Sequence, residues 1–318
     1  MSVTKADLES SLAELSRTVV DPRVGLYGPG SVNWNIAREA ILFVGGGRAA
    51  LLQTAHPFIA YGVDQFSATK TDPLGRFRRT FDNVFAMVFG DLNHALRSAR
   101  RVHLVHSKIH GEIPEDAGRF PAGSRFDAND EEALFWVHAS LVETALQVYD
   151  LLVRPLSYAE KDAYYQESRR FAALFGIPAS VQPPDFHAFQ AYCEAMWDSD
   201  TLVVTKPALD MRRFLFSSPK ASFVPAFRWI KTMTAGLMPA RLREAYRLPW
   251  SAADRAAFKA SVLALRTSYP RLPARLRYQP AYVEATYRLA GREEPDRFGR
   301  TLERWVLSGI DRRPRRAA

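Results

Sequence analysis

Apolar residues recur every three or four positions through most of the chain, the spacing of helices that bury one face. No run of alternating apolar and polar residues bounded by turn signals is long enough to read as a strand. The pattern predicts an all-α fold. Helices are expected over 5–19, 33–44, 48–63, 73–89, 92–109 and 131–152, then over 158–175, 184–197, 206–216, 222–235, 252–269 and 282–289. Punctuation agrees with these breaks. Asp72-Pro73 offers an N-cap carboxylate followed by proline in the first turn, while Gly111 and Gly176-Ile177-Pro178 stand where helices end. The segments 111–130 and 236–251 carry the proline and glycine of their neighbourhoods and read as surface excursions. With no internal repeat and no long polar linker, 1–318 reads as a single large multi-helix domain.

Composition narrows the class of protein. A chain of 318 residues that is 47% hydrophobic has enough apolar surface for a substantial core, which excludes disorder as its main state; only the basic tail 311–318 reads as loose. Cys193 is the one cysteine. It has no partner for an internal disulfide, which suits a reducing cytoplasm, and its apolar helical setting marks it as a small core residue. The first ten residues contain acids and no apolar h-region, so no secretory signal is expected. The most apolar stretch, 40–63, is broken by Gly45-Gly46-Gly47-Arg48 and His56-Pro57 and does not read as a membrane span. These features place the chain in the cytoplasm. Its net charge of +9 is carried mainly by arginine scattered along the chain and not clustered with aromatics. That argues against a nucleic-acid partner and leaves weak attraction to an anionic membrane surface.

The densest chemistry lies in 101–111, where three of the seven histidines gather. On a continuous helix His103, His106 and His110 fall within an arc of roughly 60°. Imidazole is the commonest protein ligand for iron, zinc and copper, so such a stripe is a candidate metal or haem site; it is equally the pattern of interfacial polar residues satisfied by backbone and water. Arg76, Arg79 and Thr80 stand at i, i+3 and i+4 and project together. Two guanidiniums beside a hydroxyl can hold carboxylates such as haem propionates or polarise dioxygen, although arginines near a helix start are also commonly solvated or paired. His138 lies on a strongly apolar helix, the setting of a hydrogen-bonded core histidine, and Glu143, five residues on, faces away from it. His56-Pro57 within an apolar helix predicts a kink, and Gly45 to Arg48 lacks the spacing and the preceding strand of a phosphate loop, so packing accounts for it. His-Glu-x-x-His, Glu-x-x-His, Cys-x-x-Cys and Gly-x-Ser-x-Gly are all absent. Histidine with few nearby carboxylates suits haem, which brings four nitrogens of its own, better than a bare divalent ion.

The ordered series Gly46-Gly-Arg-Ala-Ala-Leu-Leu-Gln-Thr-Ala-His-Pro, Asp72-Pro-Leu-Gly-Arg-Phe-Arg-Arg-Thr, Val105-His-Ser-Lys-Ile-His-Gly and Trp136-Val-His-Ala-Ser-Leu-Val-Glu-Thr resembles the MpaB and latex-clearing-protein oxygenase family. The likeness continues through Tyr164-Tyr-Gln-Glu and Leu237-Met-Pro-Ala-Arg-Leu-Arg and covers roughly 34–277. It implies an all-helical protein with a buried pocket for haem b, whose iron serves cleavage of isoprenoid double bonds by dioxygen. His106, in the family's His-x-x-Val/Ile-x-Gly motif, is implied as the axial ligand to iron, and His110 falls where the family commonly has arginine. Arg76, Arg79 and Thr80 match the distal arginine, basic residue and threonine. His103, His138 and His56 join His106 and His110 as candidate cofactor-pocket residues, with the His56-Pro57 kink near the pocket wall. Two departures bear on substrate. Rubber-cleaving members have lysine where this chain has Arg79, which stays protonated, and their glutamate beside the alkene has no counterpart in 48–70. The expectation is therefore a haem b oxygenase using dioxygen on a small apolar terpenoid or lipid, or on peroxide, in place of polyisoprene. A non-haem metal enzyme built on His103, His106 and His110 is an alternative, strained by the extra turn to i+7; a non-catalytic haem or lipid carrier is another.

Overall fold

The computed structural model describes residues 1–66, 73–217 and 220–307, without the side chains of Pro73, Leu74, Arg76, Phe77, Val306 and Leu307. It is mostly α-helical, as the periodicity predicts. The first half contains α1 (Lys5–Arg17), α2 (Val32–Ala37), α3 (Gly46–Thr54), α4 (Pro57–Phe66), α5 (Pro73–Phe89), α6 (Leu92–His106) and α7 (Glu131–Leu152). The second half contains α8 (Tyr158–Ala173), α9 (Phe186–Asp198), α10 (Lys206–Phe216), α11 (Val224–Leu237), α12 (Ala240–Ala245) and α13 (Ala252–Ser268). It ends with α14 (Ala274–Arg277), α15 (Pro280–Leu289) and α16 (Arg297–Leu307). Strands β1 (His110–Glu112) and β2 (Arg125–Asp127) form one antiparallel pair with His110 opposite Asp127. Helix starts are set chemically. Thr4 with Asp7, Ser157 with Glu160 and Ser251 with Asp254 form reciprocal capping boxes, and Asp91 and Asp130 cap α6 and α7.

Several predicted elements are corrected. The helix expected over 33–44 ends at Ala37 and resumes as a 3-10 turn over Ala40–Gly45, because Glu39 between them is drawn into a buried ion pair. The helix expected over 48–63 is not one kinked helix but two. Pro57 has no N–H to continue α3, and the His56 carbonyl restarts the chain by accepting from Ile59 and Ala60 at 3.1 and 3.0 Å. The helix expected over 92–109 stops at His106, capped by Ser107, and Gly111 lies in β1. Glycine is needed there because a Cβ would sit 2.8 Å from the Phe126 ring. Gly176, by contrast, ends the α8 region with φ +69° as expected. The segment 111–130 carries the strands and its own small core, with Ile113, Ala117 and Phe126 buried around Tyr61. The segment 236–251 contains α12 and buries Met238, Leu242, Tyr246 and Leu248. Asp72 and the tail 311–318 lie outside the described residues.

Two larger cores organise the helices. The first surrounds α7, which is buried on nearly every side and packs against α3, α8, α9 and α13; Trp136 Nε1 donates to the Leu52 carbonyl at 2.9 Å and fixes α3 across it. Cys193 is buried within this core, and burial pushes its thiol well above its usual range. The second core gathers Leu8, Leu12 and Leu15 of α1, Trp34 of α2 and the residues around the α5–α6 turn, Met87 to Leu92.

Glu39 is fully buried and receives Arg277 Nη2 at 2.6 Å, Arg277 Nε at 3.2 Å and the Tyr269 hydroxyl at 3.0 Å. This knot joins the start of the chain to α14. Removing Arg277 leaves the buried Glu39 carboxylate with only Arg38 Nε, 3.6 Å away, and the Tyr269 hydroxyl. Arg277→Ala is expected to cost about 3–5 kcal/mol in urea unfolding, with Glu39→Gln in the same chain recovering part of it; a loss under about 1 kcal/mol would assign the pair no structural weight.

His56 and His138 are also core groups. His56 accepts from the Phe58 N–H at 3.3 Å and packs against the rings of Phe58 and Phe120; His138 stacks on Phe171 and has Ser168 Oγ 3.4 Å from Nε2. Burial lowers His56 to about 3, helped by the nearby Arg119 charge, and His138 to about 4, from an ordinary 6.5. Below pH 6.5 the unfolded chain protonates both imidazoles, which the folded chain keeps neutral down to about pH 3 for His56 and about pH 4 for His138. His106, also lowered to about 4, adds to the same effect, so folding stability falls as pH falls through that window. The loss should reach about 2 kcal/mol per histidine at pH 5. Thermal melting across pH 7 to 4.5 is expected to show it, and His138→Gln should flatten the slope by about one proton; an unchanged slope in that variant would sink the assignment.

Candidate functional site

The elements bearing the predicted site residues form a helical hairpin rooted at its turn. Asp91 caps α6 by accepting from the His94 N–H at 2.8 Å, Leu92 N–H donates to the Pro22 carbonyl at 2.9 Å, and Arg288 Nη2 donates to the Phe89 carbonyl at 2.7 Å. Met87, Phe89, Leu92, Ala95 and Ala99 bury this end in the second core. Burial then fades along α5, where Arg78, Arg79 and Thr80 are exposed. Arg76 stands 14 residues before Gly90 and His106 stands 15 after Asp91, so at 1.5 Å per residue both lie about 20 Å from the turn. The antiparallel packing of α5 on α6 therefore places the basic end of one helix at the level of the histidine end of the other.

His103 and His106 occupy the last turn of α6. Both are partly enclosed, and the Nδ1 atom of each is buried with no hydrogen-bond partner. A buried polar nitrogen left unpaired is uncommon and costly. Burial pushes His106 down to about 4, and the charge of neighbouring His103 acts in the same direction; Asp127, the Asn129 side chain and the Ala128 backbone oppose it. At neutral pH the imidazole is thus uncharged, the state in which it ligates metals. The Ala128 N–H donates to the Ile109 carbonyl at 2.9 Å and holds β2 beside the end of α6. On the other side, Arg100 grips Glu9 of α1 through two 2.8 Å bonds, fixing the turn that bears His103.

The structure thus brings His103 and His106 together and separates them from His110. The chain turns into β1 after His106, which leaves His110 exposed on a strand, so the three-histidine stripe expected on one helix is not formed. Among the described residues no three His, Cys, Asp or Glu side chains come within reach of one metal ion, and the non-haem alternative lacks its ligand set. Arg76 is placed on α5, with its side chain outside the description; Arg79 and Thr80 follow one turn later. His56 and His138 are packed into protein, as described above. A cavity of about 30 Å³ between α3, α4 and α10, lined by Ala60, Val63, Met211 and Phe214, has room for about one water and touches none of these residues. Sequence reasoning missed Asp127 and Asn129, which reach His106 from beyond the hairpin. It also missed Arg48, whose guanidinium is buried against Glu143, donates to Thr144 Oγ1 at 2.6 Å and donates to the Leu237 carbonyl at 2.8 Å. Glu143 does face away from His138; its partner is this arginine.

An uncharacterised protein of Mycobacterium bovis is 23% identical over 235 residues, covering 71% of this chain and 88% of its own length. An uncharacterised protein of Mycobacterium tuberculosis matches with the same identity and coverage. No solved structure matches the chain. Residues 34–267, which span α2 to α13 and hold every predicted site residue, match the family described as ER-bound oxygenase mpaB/B'/rubber oxygenase, catalytic domain. By that match the chain belongs to the mpaB and rubber oxygenase family, through its oxygenase catalytic domain.

Proposed function

We propose that this protein is a cytoplasmic haem b-dependent oxygenase acting with dioxygen on a small apolar, unsaturated terpenoid or lipid, with His106 as the residue that would hold the iron. The observation that carries the reading is the neutral, partly enclosed imidazole of His106, whose buried Nδ1 has no hydrogen-bond partner. A donor set of one such imidazole, opposite a basic helix end and without clustered carboxylates, fits haem, which needs a single protein nitrogen and benefits from cations near its propionates. When bound, haem supplies an iron centre able to activate dioxygen.

The remaining roles belong to the chain itself. Asn129 and the Ala128 backbone orient the His106 ring and leave its other nitrogen available. Arg76 and Arg79 supply fixed positive charge, which binds carboxylates or stabilises negative charge as it develops. Thr80, one residue on, supplies a hydroxyl donor at the same helix level. Arginine at position 79 cannot lose its proton to act as an iron ligand as a lysine can, so it orients by charge and hydrogen bonds alone. Phe43, partly exposed and 4.9 Å from Phe81 of α5, provides apolar surface beside these groups. No helix among the described residues is long and apolar enough to cross a membrane.

Protein expressed with added haem precursor is expected to carry a stoichiometric Soret band that shifts with carbon monoxide after dithionite reduction. His106→Ala should lose that band with its circular-dichroism spectrum intact; a variant that purifies with the full band would remove His106 as the ligand. Arg79→Ala and Thr80→Val should keep the band and lower substrate-dependent oxygen consumption by about 10²-fold. Unchanged turnover in both would leave the distal assignment without support.

A further inference from the structure

The root of the α5–α6 hairpin borders a cleft that the haem reading does not use. Three segments meet there: 22–25, the turn at 89–91, and 288–293 at the end of α15. Each is pinned. Gly25, at φ +84°, packs so closely on the turn that a Cβ would lie 2.1 Å from the Gly90 carbonyl oxygen. Gly291, at φ +75°, stops α15, and the Arg292 N–H turns back to the Tyr287 carbonyl at 2.8 Å. Between these segments lies a space of about 550 Å³ lined by Arg23, Asp91, Arg288, Gly291 and Glu293. Its size suits a small molecule.

The charges facing this cleft are unequally committed. Asp91 gives both oxygens to His94, with Oδ1 accepting from the backbone N–H at 2.8 Å and Oδ2 lying 2.7 Å from Nδ1. Arg288 donates only to neutral carbonyls, from Nη2 to Phe89 at 2.7 Å and from Nε to Arg23 at 3.3 Å. The Arg23 side chain makes no hydrogen bond or ion pair among the described residues, although its backbone N–H is held by Asp21 at 2.8 Å. Burial pushes Arg288 below its ordinary range; the Asp91 charge opposes this and the Arg23 charge adds to it. Both arginines nevertheless stay protonated. Two guanidiniums that repel one another beside the same space, with N–H groups lacking an anionic acceptor, are satisfied by an oxyanion placed between them.

The rest of the lining bears on what carries that oxyanion. No apolar side chain is among the five lining residues, so an apolar ligand would desolvate charges and return nothing. Glu293 makes no hydrogen bond or ion pair among the described residues, and a carboxylate accepts only from donors such as hydroxyl groups. At Gly291 a Cβ would meet nothing within 4 Å, so there is open space beside Glu293 for the body of a ligand. We propose that this cleft binds a small hydroxylated phosphate monoester, its phosphate between Arg23 and Arg288 and its hydroxyls donating to Glu293. The site is independent of the haem reading, since it lies at the root of the hairpin, about 20 Å from the outer end.

Thermal melting of the full chain with inorganic phosphate, glucose 6-phosphate or glucose, at ionic strength matched with NaCl, tests it. Glucose 6-phosphate is expected to raise the melting temperature along a saturating curve, inorganic phosphate to do so with about tenfold weaker affinity, and glucose to have no effect. Arg23→Ser should weaken both phosphates by about tenfold or more. Glu293→Ala should remove most of the preference for glucose 6-phosphate over inorganic phosphate. Circular dichroism of both variants should match the parent chain. Four results would each overturn the proposal: no saturable shift with either phosphate, a shift that NaCl alone reproduces, equal affinities in the parent chain and Arg23→Ser, or an unchanged preference in Glu293→Ala.

Discussion

Arg48 carries a full charge at the centre of the first core, and the helices there are arranged around it. Its guanidinium is shared between Glu143 and Thr144 of α7 and the last carbonyl of α11, with Trp197 of α9 lying 5.7 Å from its centre. A cation in that position is tolerable only if every donor finds an acceptor. Bringing those acceptors within reach requires α3 to approach both α7 and α11 closely. The glycines before Arg48 permit that approach: a Cβ on Gly45 would lie 2.5 Å from Thr144 Cγ2, and one on Gly47 would lie 2.3 Å from Thr234 Oγ1. Gly45 and Gly47 are therefore packing devices serving a buried charge, whereas a Cβ on Gly46 would meet open space. The resemblance of the run to a phosphate loop ends at composition.

The same accounting separates scaffold from candidate chemistry. Glu39, Arg48 and Glu143 are paired, and His56 and His138 have polar neighbours within hydrogen-bond distance. Unlike those two imidazoles, His103 and His106 have an Nδ1 without a partner, a state they share with eight other buried side-chain atoms among the described residues, Trp34 Nε1 included. These two histidines lie at the end of the hairpin farthest from its root. The root is fixed by Met87 to Leu92, by Pro22 and by Arg288, so the outer ends of α5 and α6 are positioned without themselves having to be buried. A cofactor or apolar substrate can then meet side chains already held in place, and the cost of ordering them is met in folding.

How much of this was legible follows from the range over which each signal acts. The helices over 73–89, 131–152 and 206–216 have the bounds that periodicity predicts, because caps and apolar spacing are local. His106, Arg76, Arg79 and Thr80 are candidates visible in the sequence because each belongs to a short motif. The break at His56 was half visible, since proline announces a disturbance but not whether the chain bends or restarts. Strands of three residues are too short to alternate, so β1 and β2 left no pattern, and without them His110 was assigned to the wrong kind of element. Asn129 reaches His106 across 23 positions and Glu143 reaches Arg48 across 95; nothing in either neighbourhood signals its partner.

The position of His106 at a junction between elements explains how one imidazole can be both fixed and available. Helix α6 ends there because Ser107 caps it, and the chain becomes extended within three residues. Continuing the helix to His110 would have aligned three imidazoles and withdrawn the Ile109 carbonyl from the Ala128 N–H that ties down β2. Stopping the helix instead brings Asp127 and Asn129 to His106. These neighbours and the burial around them pull its proton affinity in opposite directions. Burial prevails, so the ring remains neutral while its polar surroundings orient it. On the proposed reading an iron-holding imidazole needs both properties at once, and neither a solvated helix face nor a fully enclosed core supplies them together.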